Sequence, residues 1–217
     1  MSNGLVVIVG VGPGVSASVA KKFAAKGHPL LFVARNEAKL AEMKTALSDA
    51  GAQVDYKVAD ASKPGEVANV ISAITEPVAS VVYNAAAWGG SLLTSEDADI
   101  RTATETNLYS IIATAKAAAP KLQASNGVLF ITGGGFALYP SAAYGILSVG
   151  KAMTRTTSLL LAEELKPQGV RVHTITIMGT VAPGTGFDPD LIADTYMQVF
   201  EDPASPIETV FKAKVKA

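Results

Sequence analysis

Three glycines in five positions, Gly10, Gly12 and Gly14, stand between an apolar run, Leu5-Val6-Val7-Ile8-Val9, and a helix-spaced segment, Ala17 to Ala24. Glycine turns a chain at positive φ, and without a Cβ it lets backbone N–H groups approach a pyrophosphate. The positive end of a following helix, opened here by Val15 and Ser16, then lies beneath the phosphates. In a strand–turn–helix setting these glycines point to a dinucleotide site. Arg35 bears on which dinucleotide. A site for an unphosphorylated ribose usually carries a carboxylate about 20 residues past the glycine turn. Val33-Ala34-Arg35-Asn36 has no acid there. A guanidinium fork bonds a 2′-phosphate that a carboxylate would repel. These residues favour NADP(H) over NAD(H), and Lys39, a helical turn further on, can assist.

Composition removes several other chemistries. The chain has no cysteine, so disulfides, thiol catalysis and cysteine-based zinc sites are excluded. Of the two histidines, His28 sits in a Gly27–Pro29 turn and reads as exposed, and His173 reads as a partnered strand residue. Neither has the carboxylate and histidine company of a metal site. A net charge of −1 offers no basic surplus for nucleic acid or anionic lipid. No run of about 18 apolar residues is present to span a membrane, and no secretory signal opens the chain. A cytoplasmic location is expected. With 217 residues, 49% hydrophobic and 17% charged, the chain reads as one globular domain over 1–217.

The elements that must position these residues alternate. Strands are predicted at Leu5–Val9, Pro29–Ala34, Val54–Val58, Val78–Tyr83, Gly127–Ile131, Val170–Ile177 and Glu208–Lys212. Helices are predicted after the glycine turn, over Glu37–Ala50, from Pro64 to Ile74, over Asp97–Ala119 with Pro120 as the stop, over Ser141–Leu165, and over Leu191–Phe200. Such alternation predicts a Rossmann-like, doubly wound parallel sheet in three α/β/α layers. Ligands of such sheets bind beyond the carboxyl ends of the strands. The loops that leave those ends carry Asp60-Ala61, Asn84-Ala85-Ala86, Thr132-Gly133-Gly134-Gly135 and Met178-Gly179-Thr180-Val181.

The ordered set of motifs resembles the short-chain dehydrogenase/reductase family over nearly the whole chain. Gly10 and Gly14 match the first two glycines of its GxxxGxG turn, with Ser16 at the third. Asp60 stands where the family holds the adenine amino group. Tyr83-Asn84-Ala85-Ala86 replaces an Asn-Asn-Ala-Gly turn. Asn107 matches a helix asparagine, Lys151 the family lysine, and Gly179 a Pro-Gly turn in which Met178 has replaced proline. The resemblance implies an oxidoreductase acting on a carbonyl or alcohol of a small molecule. It implies a cofactor held by Gly10, Gly12, Gly14, Val15, Arg35, Asp60, Ala61, Asn84, Ala85, Ala86, Lys151, Gly179 and Val181. It also implies pairing of the two long helices, which carry Ala103, Ala113, Ala117 and Ala118, into a homodimer or homotetramer.

The catalytic positions depart from that pattern. The family places a tyrosine, its proton donor or acceptor, four residues before the lysine, and a serine about a dozen residues earlier. Here the first position is Leu147 and the second falls on Gly133 and Gly134. Lys151 and Asn107 remain. Tyr144 is the substitute, either supplying the proton or lining the pocket, with Tyr139 second. Seven residues of helix separate Tyr144 from Lys151 by about 10 Å axially, against about 6 Å for four. Tyr144 can reach inward only if the helix begins after it. Thr132 can stand in for the serine, Ser148 points another way round the helix, and Trp88 can line the substrate cleft. Two readings follow: an NADP(H)-dependent reductase with an altered catalytic set, or a catalytically impaired NADP(H)-binding protein serving as redox sensor or scaffold.

Overall fold

Residues on strand β1 (Leu5–Val9) alternate between two cores, and that alternation sets the layers. Val7 and Val9 join one buried cluster, whereas Val6 and Ile8 join the other. A strand buried on both faces needs helices on both sides. The computed structural model describes residues 3–213. Its sheet has seven strands in the order β3-β2-β1-β4-β5-β6-β7. The remaining strands are β2 (Leu30–Ala34), β3 (Val54–Val58), β4 (Val78–Tyr83), β5 (Val128–Gly134), β6 (Arg171–Ile177) and β7 (Glu208–Phe211). Every pairing is parallel.

One face is covered by α3 (Pro64–Ser72), α5 (Ser110–Ser125) and α6 (Gly145–Leu165), through Val67, Ile71, Ile111, Leu122 and Leu161. The other is covered by α1 (Val15–Ala25), α2 (Glu37–Ser48) and α7 (Pro189–Glu201), through Val19, Phe23, Leu40, Ile192 and Tyr196. Chain order reverses direction between β1 and β4, which is where an open α/β sheet forms its ligand crevice. No helix among the described residues is long and apolar enough to cross a membrane.

Several elements differ from the sequence reading. Pro120 does not stop its helix; α5 runs through it to Ser125. Pro120 is exposed, and burial of Ala118, Ala119 and Leu122 on the opposite stripe carries the helix past one missing N–H. The predicted 97–119 helix is also interrupted. α4 (Asp97–Thr104) passes into α5 through a π-helical turn, Glu105–Tyr109. The second long helix begins at Gly145, preceded by a single 3₁₀ turn, Ala142–Tyr144. β5 extends through Gly134 because Thr132 and both glycines pair with Ile175, Thr176 and Ile177. His28 is half-buried, not exposed: its Nδ1 lies 2.8 Å from the Gly4 carbonyl and its ring meets Phe23 edge-on.

Candidate active site

The glycine turn is locked to the neighbouring strand end. Gly10 has φ +76°, its N–H donates to the Val33 carbonyl at 2.8 Å, and its carbonyl accepts from Asn84 Nδ2 at 3.3 Å. A Cβ on Gly10 would lie 2.4 Å from the Ala85 backbone nitrogen. Gly14, at φ +98°, is the N-cap of α1, and no side chain caps that helix end. The first N–H groups of α1 are therefore supplied to whatever anion sits there. Ser16, in place of a third glycine, accepts from the Gly12 N–H and donates to the Gly12 carbonyl, both at 3.0 Å.

The same cleft continues in both directions from this turn. It measures about 1260 Å³, more than the roughly 300–1,000 Å³ of a drug-sized ligand site. Gly10, Gly14, Val15, Arg35, Asp60, Ala61, Asn84, Ala85, Ala86, Lys151, Gly179 and Val181 all line it, as does Tyr144. Gly12 and Asn107 do not lie on its wall.

At the β2–β3 end, Asp60 accepts from the Ser62 N–H at 2.9 Å and from its hydroxyl at 2.8 Å. Burial pushes the Asp60 carboxyl up, but these bonds and the charges of Arg35 and Lys63 outweigh it and leave the pKa lowered. Arg35 Nε stands 4.0 Å from Asp60 Oδ1 with 72% of its side chain exposed, a loose pair that a phosphate can draw upon. Asn36 is occupied in capping α2 through the Lys39 N–H. Lys39 itself is exposed and off the cleft wall.

At the β5 end, Lys151 Nζ donates to the Thr132 carbonyl at 3.0 Å. Its stem lies against Gly134, where a Cβ would meet Lys151 Cε at 3.2 Å. Absence of a side chain at Gly134 thus gives the lysine its path. Burial lowers the Lys151 pKa to about 8. Thr132 is not free to orient a ligand: its Oγ1 is 2.7 Å from the buried Tyr196 hydroxyl on α7. Burial pushes the Tyr196 phenol well up despite that bond. No motif marked Tyr196, since 64 residues separate it from Thr132.

Asn107 belongs to the π-helical turn, two of whose carbonyls accept bonds from outside the helix. Tyr83 donates to the Thr106 carbonyl at 2.7 Å and Thr154 to that of Asn107 at 3.3 Å. Asn107 Nδ2 is buried, without a hydrogen-bond partner among the described residues, and packs against Gly150 beside Lys151. Tyr144 immediately precedes α6 and remains 48% exposed at the cleft. Ser148 does point elsewhere, bonding both the Ser141 N–H and carbonyl to fasten the loop ahead of α6.

The family model described as short chain dehydrogenase matches residues 4–187. The chain belongs to the short-chain dehydrogenase family. It is 28% identical over 183 residues to the short-chain dehydrogenase cctT of Talaromyces islandicus, covering 83% of this chain and 63% of that protein. The chain therefore spans less than two thirds of the Talaromyces relative's length. It is 28% identical over 184 residues to carbonyl reductase family member 4 of Danio rerio, covering 83% of this chain and 74% of that one. A short-chain dehydrogenase from Sphingobium yanoikuyae, solved in complex with NADPH, shares the fold with a TM-score of 0.83 at 23% identity, over 95% of this chain and 87% of that one.

In this short-chain dehydrogenase Leu147 is buried in α6 and lines the cleft. No proton can be exchanged there, and Lys151 lacks a phenol partner one turn away. The lysine's own titration gives a test. Because its folded pKa is depressed, the unfolded chain binds more protons between about pH 8 and the ordinary lysine value, so stability contributed through this group rises with pH across that window. Lys151→Met is expected to gain relative to the parent at pH 7 and to lose that gain as pH rises from 8 toward 10.5. Melting temperatures of both proteins, measured without nucleotide across that range, check it; a constant difference would refute the assignment.

Proposed function

We propose that this chain is an NADP(H)-dependent oxidoreductase acting on the carbonyl or alcohol of a small molecule, with the family's serine and tyrosine positions replaced. One observation carries the reading: a single cleft joins the uncapped N-terminus of α1 to Arg35 and Asp60 at one end and to Lys151 and Tyr144 at the other. The open helix end, the glycine whose Cβ would strike Ala85, and the exposed guanidinium fit the parts of a phosphorylated dinucleotide.

Gly10, Gly14 and Val15 would hold the pyrophosphate, with Gly12 shaping the turn. Arg35 would bond a 2′-phosphate, and Asp60 with Ala61 would border the adenine. Asn84, Ala85 and Ala86 would follow the central part, while Gly179 and Val181 would border the nicotinamide. When bound, the nicotinamide supplies hydride chemistry. Lys151 would bond ribose hydroxyls, Tyr144 would give or take a proton at the substrate oxygen, and Asn107 would hold a water or a backbone group near the site with its unpartnered Nδ2. α4, α5 and α6 would pair with further copies to form a homodimer or homotetramer.

The NADPH bound by the Sphingobium protein and the carbonyl reductase name of the Danio relative support this reading. Thermal shift and direct titration test it. NADPH is expected to stabilise the fold in proportion to the logarithm of its concentration over its dissociation constant. Arg35→Ala should weaken NADPH by about 1.5–3 kcal/mol, roughly 10- to 150-fold, and leave NADH unchanged. Equal losses for both nucleotides would overturn the choice of cofactor, and no response to either would remove the nucleotide site.

A further inference from the structure

Sheet order divides the cleft into two chemically different halves. Arg35 and Asp60 follow β2 and β3, on one side of the β1–β4 crevice. Trp88 follows β4, Phe136 and Tyr139 follow β5, and Met178 follows β6, on the other side. The charged residues lining the cleft, among the described residues, are Arg35, Asp60 and Lys151. Beyond Lys151 the wall formed by the described residues carries no charge.

What it has instead is exposed aromatic surface. Trp88 is 76% exposed and Tyr139 71% exposed, though both line a cleft. The Tyr144 ring is held against Phe136, with centroids 5.2 Å apart and planes at 32°. Leu147 adds apolar wall where a proton donor would stand. Large aromatics left in water on a concave surface signal a ligand that covers them. Their rings favour offset or edge contacts with another ring, beyond simple burial of area. A carboxylate or phosphate here would lose hydration without a counter-charge of its own. Of the two cations that line the cleft, Lys151 is the one after β5, and its ammonium already donates to the Thr132 carbonyl.

Resting on the reductase reading above, we propose that the substrate is a neutral aryl ketone or the corresponding aryl alcohol, its uncharged ring seated among Trp88, Tyr139 and Tyr144. Anionic keto acids and sugar phosphates are disfavoured by the same wall.

Trp88 is the chain's single tryptophan, so its emission reports on this half of the cleft alone. The full chain is saturated with NADP⁺, whose binding is measured first in its own titration. Propiophenone, 4-propionylbenzoate and cyclohexyl ethyl ketone are then titrated while tryptophan emission is read. Propiophenone is expected to quench Trp88 with a dissociation constant about tenfold or more below that of either analogue, the carboxylate failing by desolvation and the cyclohexyl compound by loss of ring contacts. Tyr139→Ala should weaken propiophenone about three- to tenfold and leave NADP⁺ affinity in place. Equal or tighter binding of either analogue overturns the proposal. So does a protein that binds NADP⁺ and shows no Trp88 response to propiophenone. A protein that binds no NADP(H) removes the parent reading, and this one with it.

Discussion

Gly10→Ala is expected to destabilise the fold by about 2–5 kcal/mol and to abolish nucleotide binding, whereas Gly12→Ala, two residues away, is expected to stay within about 0.5 kcal/mol of the parent. The added methyl is the same and the surroundings decide the outcome. Gly10 sits at φ +76°, where an L side chain pays roughly 1–2 kcal/mol. Its Cβ would also lie 2.4 Å from the Ala85 nitrogen and 2.5 Å from the Ala85 Cα. Those atoms are backbone and cannot rotate aside, so the strand ends must separate, adding about 1–3 kcal/mol. Separation breaks the Asn84–Gly10 bond that ties the two loops together. At Gly12 a Cβ meets nothing within 4 Å. Chemical denaturation of both variants, followed by NADPH titration, checks the contrast. Two variants of equal stability would mean that the close approach of the β1 and β4 loops does not bear on the fold.

That pair also marks how far the sequence could be read. Alternation along Leu5–Val9 and the glycine turn after it are local signals, and so the sheet, its helices and the strand-end loops that line one half of the cleft were legible. Arg35, Asp60 and Asn84 follow strand ends, and a parallel sheet delivers all strand ends to one edge. What remained hidden depends on packing between distant segments. Pro120 reads as a stop because propensity is local, yet burial of Leu122 outvotes it. The π-helical turn at Glu105–Tyr109 leaves no mark in spacing, since the side chains that meet its Thr106 and Asn107 carbonyls, Tyr83 and Thr154, come from other elements. Thr132 reads as a substitute for serine until Tyr196 takes its hydroxyl. Gly134 reads as a lost serine, and only the fold shows that the Lys151 stem lies where that side chain would begin.

Leu147→Tyr decides between the two functional readings, and it is expected to raise turnover of a reducible ketone by about 10²-fold or more, the scale of a positioned general acid. α6 is regular from Gly145 onward, so position 147 lies one turn before Lys151 on the same face, about 6 Å along the axis. Leu147 already lines the cleft, and a phenol there would extend toward the ligand space. The neighbouring ammonium would favour the phenolate and so ease proton release. Leu147 is 2% exposed, so the larger ring costs about 1–3 kcal/mol of stability by overpacking. Leu147→Phe carries that same cost without the hydroxyl, and it is expected to leave turnover unchanged. The parent chain should lose activity on Tyr144→Phe, because Tyr144, directly ahead of α6, is the first substitute for the missing phenol, with Tyr139 the second on the same cleft wall. In the Leu147→Tyr background the same change should matter little, because the proton would leave from position 147. A Leu147→Tyr protein that binds NADPH as tightly as the parent yet gains no turnover would favour the other reading, in which the cleft senses or stores the nucleotide. Lys151 and the aromatic wall would then be parts of a binding site, with no proton path to restore.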